Sequence, residues 1–199
     1  MSDILCVTNR LLCRGDFLSR VEELAAAGPR GILLREKDLD ESGYLALAER
    51  VKAICDGHGV PCILHGHPAA AEALGCPALH LPLADLRALD EKTRARFTVL
   101  GASCHSAGDA LSAERLGCTY VTAGHVFDTD CKRGLPGRGL DFLREVCESV
   151  AIPVYAIGGI GPKNADPVRS CGAAGLAVMS GPMTCTDVKA YLKELDRGC

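Results

Sequence analysis

The chain has 199 residues, enough for one sizeable domain or two small ones. Hydrophobic residues make up 48% and charged residues 24%, so a folded globular core is expected and disorder is excluded. The formal net charge is -3 with no basic block, which argues against nucleic acid as a partner, because that binding rests on clustered lysine and arginine.

Short apolar runs alternate with longer helix-like segments. Ile4–Thr8 is the first expected strand, and Phe17–Ala27 the first helix, with Asp16 as its cap. Gly31–Arg35 is the second strand, running into Glu36–Asp38. Asp40–Asp56 follows as a helix with Leu45, Ala48, Val51 and Ile54–Cys55 on one face. Val60–Leu64 (strand), Pro68–Leu74 (helix), Ala78–Leu81 (strand) and a poorly defined helix near Leu86–Arg96 come next. Thr98–Ala102 and Ala107–Leu116 form the fifth strand and helix, Thr119–Ala123 and Leu140–Ser149 the sixth. Pro153–Ile157 leads to a helix near Pro162–Ser170, and Gly175–Met179 to a last helix at Asp187–Leu195.

Strand then helix, about eight times over, predicts a parallel sheet. Its strands are nearly continuous apolar runs, as expected when both faces are covered. Eight units predict an α/β fold, a single (β/α)8 TIM barrel spanning residues 1–199, with a doubly wound open sheet as the runner-up. No linker or domain boundary interrupts the pattern.

The start, MSDILCVTNR, lacks the charged end and apolar run of a secretion leader, and no apolar run approaches the ~20 residues that span a bilayer. A cytoplasmic protein without a membrane partner is expected. The 12 cysteines occur singly, without a C-x-x-C pair, so reduced thiols used as small core residues are expected rather than a disulfide framework or zinc ribbon.

In a (β/α)8 barrel the active site lies at the carboxyl ends of the strands. Several polar residues pass that filter. Arg35 and Lys37 end the second strand, two apart and so directed to one side if the strand reaches them. His65 and His67 follow the third strand, His80 lies in the fourth, and Ser103 and His105 follow the fifth. The stretch Thr119–Gly139, TYVTAGHVFDTDCKRGLPGRG, stops as a strand at Gly124. His125 comes next, then a loop carrying Asp128, Asp130, Lys132, Arg133 and Arg138. A histidine at a strand end suits a site that moves a proton near neutral pH. Gly158–Gly159 after the seventh strand and Met179–Ser180–Gly181 after the eighth suit a phosphate held by backbone amides.

Each residue also has a plainer reading. Arg35–Asp38 has the form of a solvated charge run, Gly158–Gly159 of a tight turn, and His80 of a hydrogen-bonded core histidine. His105 divides between packing and lining the site. His65 and His67 lack a well-placed carboxylate or thiol to complete a metal set, so no metal site is expected there. Cys131 reads as a tolerated loop thiol.

The ordered motifs L-R-E-K-D (Leu34–Asp38), H-L-P-x-x-D-L (His80–Leu86), G-x-S-x-H-S (Gly101–Ser106), G-H-V-F-D-T-D-C-K-R-G (Gly124–Gly134), A-I-G-G-I (Ala156–Ile160) and A-V-M-S-G (Ala177–Gly181) resemble the thiamine phosphate synthase superfamily over nearly the whole chain. Within it the chain most resembles the thiazole tautomerase (TenI) branch. Synthases carry an Asn-Asp pair after strand three, whose aspartate helps hold Mg²⁺ on a pyrophosphate. Here His65-Gly66 stands there, while Asp85 resembles the second Mg²⁺ ligand. Synthases have proline where this chain has His125, and the tautomerase branch has histidine.

The resemblance implies an isomerase of thiamine biosynthesis. It aromatises a phosphorylated 2-carboxy-dihydrothiazole by a proton shift that needs no metal or cofactor. His125 would carry the proton. Gly158, Gly159, Met179 and Ser180 would hold the phosphate. Arg35 and Lys37 would pair with the carboxylate, Lys132 would close over the ligand, Ser103 and His105 would line the ring pocket, and Gly124 would also bind the substrate. The alternatives are a Mg²⁺-dependent thiamine phosphate synthase, which joins a pyrimidine pyrophosphate to thiazole phosphate, and a non-catalytic thiazole-phosphate-binding regulator. The expected partner is a small-molecule thiazole phosphate. Exposed helix faces on such barrels often pair, so a homodimer is possible.

Overall fold

Strands covered on both faces need no polar alternation, and the apolar runs of this chain form such strands. The computed structural model describes residues 2–129 and 134–196. The elements in chain order are β1 (Ile4–Val7), α1 (Phe17–Ala26), β2 (Gly31–Leu34), α2 (Glu41–His58), β3 (Cys62–His65), α3 (Pro68–Ala73), β4 (Ala78–Pro82), α4 (Leu83–Ala88), α5 (Glu91–Arg94), β5 (Val99–Cys104), α6 (Ala107–Arg115), β6 (Tyr120–Gly124), α7 (Gly139–Ser149), β7 (Val154–Ile157), α8 (Ala165–Arg169), β8 (Gly175–Val178), α9 (Ser180–Thr184) and α10 (Val188–Asp196). The strands close in chain order from β1 to β8. This is the expected (β/α)8 barrel, not an open doubly wound sheet. All resolved pairings are parallel: Cys6 lies opposite Ile32, Leu33 opposite Ile63, and Val121 opposite both Ala102 and Val154.

The described chain divides into two compact units, residues 2–79 with 178–196 and residues 80–177. In the first, α1 starts at the expected cap, where the Asp16 carboxylate accepts from the Ser19 N–H at 2.7 Å. Asp40 caps α2 in the same way, and Gly59 ends it in the left-handed region at φ 67°. The buried stripe of α2 is Tyr44, Ala48, Val51 and Cys55, so Tyr44 takes the core position expected of Leu45. The reason is polar. The fully buried Tyr44 hydroxyl donates to the Leu34 carbonyl at 2.8 Å and accepts from the His65 N–H at 2.9 Å, tying β2 to β3 at their carboxyl ends.

In the second unit the helix expected near Leu86–Arg96 is two pieces. Leu89 is extended (φ -73°, ψ 137°) and ends α4, and Asp90 caps α5 by accepting from the Thr93 N–H at 2.9 Å. Ser106 caps α6 through the Asp109 N–H.

The cysteines of the described residues are free, and Cys6, Cys55, Cys62, Cys76, Cys104, Cys118 and Cys171 are buried. Burial pushes the Cys104 and Cys118 thiols up to about 12, which keeps them protonated and unreactive. No helix among the described residues is long and apolar enough to cross a membrane.

Candidate active site

In the first unit the strand end of β2 is shaped by a buried carboxylate. β2 stops at Leu34, so Arg35 and Lys37 lie beyond the strand that was expected to carry them. Glu36 turns inward and is 2% exposed. Its carboxylate accepts from the Thr8 hydroxyl at 2.6 Å and from the Arg10 N–H at 3.0 and 3.1 Å. Thr8 in turn accepts from the Arg35 N–H at 3.0 Å. This network pins the backbone from which the half-buried Arg35 and the exposed Lys37 project.

Both cations act on His65, the last residue of β3. Burial, then Arg35, then Lys37 push its imidazole down to about 4, so it is neutral at physiological pH. Arg35 Nη1 also lies 4.0 Å from Met179 Sδ. Ser180 is exposed and opens the short helix α9, whose first turn receives no side-chain cap from Met179. Gly181 is required there because a Cβ would stand 2.0 Å from the Tyr191 hydroxyl. The glycine expected to serve an anion is thus explained by packing.

In the second unit four polar groups gather at the ends of β4, β5 and β6. His80 is 1% exposed, with Nδ1 3.0 Å from the Tyr120 hydroxyl and Nε2 2.9 Å from the Ser103 hydroxyl. It is the hydrogen-bonded core histidine of the plainer reading. Ser103 reaches partial exposure. His105 Nδ1 lies 2.6 Å from the Gly124 carbonyl. A carbonyl only accepts, so Nδ1 carries the hydrogen and Nε2 of the neutral ring is an acceptor.

His125 follows β6 as expected and is 8% exposed. Its Nε2–H donates to the Leu135 carbonyl at 3.2 Å, which leaves Nδ1 as the basic nitrogen of the neutral ring. The loop returns over it: the Arg138 N–H donates to the His125 carbonyl at 3.0 Å, and the Gly137 N–H to Asp128 at 2.6 Å. Gly158 (φ 103°) and Gly159 (φ 65°) occupy the left-handed region after β7. They also let that turn lie against the loop. The Val126 N–H donates to the Ile157 carbonyl at 2.9 Å and the Phe127 N–H to the Gly158 carbonyl at 3.0 Å.

The structure therefore brings Arg35, Lys37 and Met179 together in one unit, and Ser103, His105, Gly124, His125, Gly158 and Gly159 in the other. Lys132, with Asp130, Cys131 and Arg133, lies outside the described residues. Sequence reasoning missed Thr8, Glu36 and Tyr120. Glu36 carried a signal in its place, a carboxylate set between two cations just past a strand end.

A family model described as thiamine monophosphate synthase matches residues 4–181. The chain belongs to that family. It is 34% identical to thiamine-phosphate synthase 2 of Streptococcus pneumoniae, over 90% of this chain and 88% of that protein. It is 36% identical to the thiamine-phosphate synthase of Thermus thermophilus, over 89% of this chain and 86% of that protein. Among solved structures, the thiamine phosphate pyrophosphorylase of Pyrococcus furiosus matches with a TM-score of 0.85 at 30% identity, covering 98% of this chain and 94% of that one. The superfamily expected from the motifs is thus correct. These relatives carry the synthase name, which supports the alternative reading over the tautomerase branch.

Proposed function

We propose that this protein is an enzyme of thiamine biosynthesis that binds a thiazole phosphate, and that its reaction is the one its relatives are named for. That reaction joins a pyrimidine pyrophosphate to thiazole phosphate and releases pyrophosphate. The observation that carries this reading is the likeness to synthases at 34% and 36% identity over about nine-tenths of the chain. In residues 80–177 the amides of Gly158 and Gly159 after β7 are assigned to a ligand phosphate; in the other unit the amides of Met179 and Ser180 after β8 offer the same chemistry. Arg35 and Lys37 supply positive charge for the second anion. Binding both partners at fixed orientation lowers the barrier of such a two-substrate step.

The Mg²⁺ of the synthase pattern meets a poor donor set here. Mg²⁺ takes oxygen ligands, usually carboxylates together with phosphate oxygens. Asp85, exposed in the first turn of α4, remains. Where the synthase pattern has its Asn-Asp pair, this chain has His65-Gly66, so no carboxylate stands there, and the His65 imidazole is neutral beside two cations. The residues present do not fit a two-carboxylate Mg²⁺ site.

That misfit, together with His125, favours a second reading, the metal-free proton shift on a phosphorylated 2-carboxy-dihydrothiazole. A nearly buried imidazole with one nitrogen committed to a carbonyl presents a single basic nitrogen, the form a proton carrier needs.

One pair of assays separates the readings. Transfer gives pyrophosphate release from pyrimidine pyrophosphate and thiazole phosphate with Mg²⁺, only modestly reduced by His125→Gln. Proton shift gives aromatic thiazole carboxylate carrying solvent deuterium without added metal, reduced on the order of 100-fold or more by the same change. Activity in neither assay, with thiazole phosphate still bound, would leave the regulator.

A further inference from the structure

Within residues 80–177, Tyr120, His80 and Ser103 form a hydrogen-bonded line from the interior to the end of β5. Tyr120 is 5% exposed and His80 1%. The Tyr120 hydroxyl lies 3.0 Å from His80 Nδ1, and His80 Nε2 lies 2.9 Å from the Ser103 hydroxyl, with the Thr122 hydroxyl at 3.5 Å. Only Ser103 reaches partial exposure. Burying a phenol and an imidazole costs free energy that apolar side chains would not incur, unless each polar atom is matched.

The strand makes room for this pair. A Cβ at Gly101 would stand 2.2 Å from Tyr120 Cζ and 2.6 Å from His80 Nδ1, so a side chain is given up inside β5 to seat them. Tyr155 meets the Tyr120 ring edge-on at 5.7 Å and 85°, which fixes its tilt.

The direction of the line follows from counting hydrogens. Among the described residues, His80 Nδ1 is the acceptor within reach of the Tyr120 hydroxyl. The phenol therefore donates, and Nδ1 accepts. A neutral imidazole carries one N–H, which must then sit on Nε2 and donate to the Ser103 oxygen. With its oxygen already accepting, the Ser103 hydroxyl turns its own hydrogen outward.

We propose that Tyr120 and His80 are positioning residues that hold the Ser103 hydroxyl as a hydrogen-bond donor toward an oxyanion of the bound ligand. The inference rests on the reading of Ser103 as part of the ligand pocket. It goes beyond that reading by naming the buried groups that set the direction of the Ser103 hydroxyl. Tyr120→Phe keeps the ring and removes the donor, so His80 becomes free to exchange tautomers and Ser103 loses its set direction.

Two measurements test it on the full chain. Nitrogen-15 spectra of labelled histidine, with His80 assigned by its absence in His80→Asn, should show a neutral Nε2–H tautomer in the native protein and a mixed population in Tyr120→Phe. A native Nδ1–H tautomer would overturn the proposal whether or not any ligand binds. Calorimetry with thiazole phosphate and with inorganic pyrophosphate should show Ser103→Ala weakening one of them about tenfold or more, the scale of a hydrogen bond to a charged group. Tyr120→Phe should weaken the same ligand several-fold alone and not at all in the Ser103→Ala background. Losses that simply multiply would mean that Tyr120 only packs, and the proposal would fail. If the native protein binds neither probe, the functional reading falls while the tautomer still decides this inference.

Discussion

Gly158 lies so close beneath His125 that a Cβ built on it would stand 2.4 Å from the His125 Cβ. The glycine pair after β7 therefore has a task that does not depend on any anion. It lets the chain carrying the site histidine settle directly on the end of the neighbouring strand. Gly158→Ala should move His125 and also strain a backbone held at φ 103°. The expected loss is at least about 2 kcal/mol, a fall in Tm of roughly 4–8 °C. Turnover should fall further than stability alone explains. Gly117→Ala is the control, because Gly117 shares a positive φ (90°) and has open space around it. Equal melting points for the two variants would refute the close-packing account.

His105 holds the same corner from the other side, through its 2.6 Å bond to the Gly124 carbonyl. His105→Ala removes the donor and leaves a buried strand-end carbonyl short of one partner. A loss of about 1 kcal/mol is expected from calorimetric melting. A larger effect is expected on turnover, because Gly124 precedes His125. His105→Asn restores an N–H donor on a shorter side chain and should recover part of the stability. No recovery, with the alanine variant as stable as the native protein, would show that the bond is incidental.

The barrel was legible because buried parallel strands are continuous apolar runs, a pattern local enough to read one segment at a time. The helix near Leu86–Arg96 was not, because its break depends on Asp90 capping a second start through Thr93. The positions of His125, Ser103 and Arg35 at or just past the carboxyl ends of their strands were legible. The partners that orient them were not. Tyr120 meets His80 across 40 residues of sequence, and Thr8 meets Glu36 across 28. Leu135 contributes only a carbonyl, to which side-chain identity is blind.

Glu36 should be the most costly carboxylate to lose in the first unit. It is buried, and its oxygens take the Thr8 hydroxyl and the Arg10 N–H, with Arg10 Nη1 3.7 Å away. Glu36→Gln keeps the shape but removes the charge, at an expected cost of about 1–3 kcal/mol by denaturant titration. Glu36→Ala strands both donors and should cost more, about 3–5 kcal/mol. Because Thr8 also takes the Arg35 N–H, either change should weaken pyrophosphate binding without touching a ligand-facing side chain. Unchanged stability in Glu36→Ala would contradict the network.

His65 makes stability depend on acid. Its imidazole is held at about 4 in the folded protein, by burial first and then by Arg35 and Lys37, against ~6.5 in the unfolded chain. Above the unfolded value it is neutral in both states and has no effect. As pH falls from ~6.5, the unfolded chain takes up a proton that the folded protein refuses, so stability drops by roughly 1.4 kcal/mol per pH unit. The drop levels near pH 4, where the folded protein also protonates, at a total of about 3 kcal/mol. Comparing the pH dependence of unfolding in native protein and His65→Gln isolates this part, and the variant should show the shallower acid limb. Arg35→Gln removes one of the two opposing cations and should raise the His65 titration point, followed through its ring proton resonances. If His65 in the native protein titrates near 6.5, the two cations do not bear on it, and their placement at the end of β2 would have to be reconsidered.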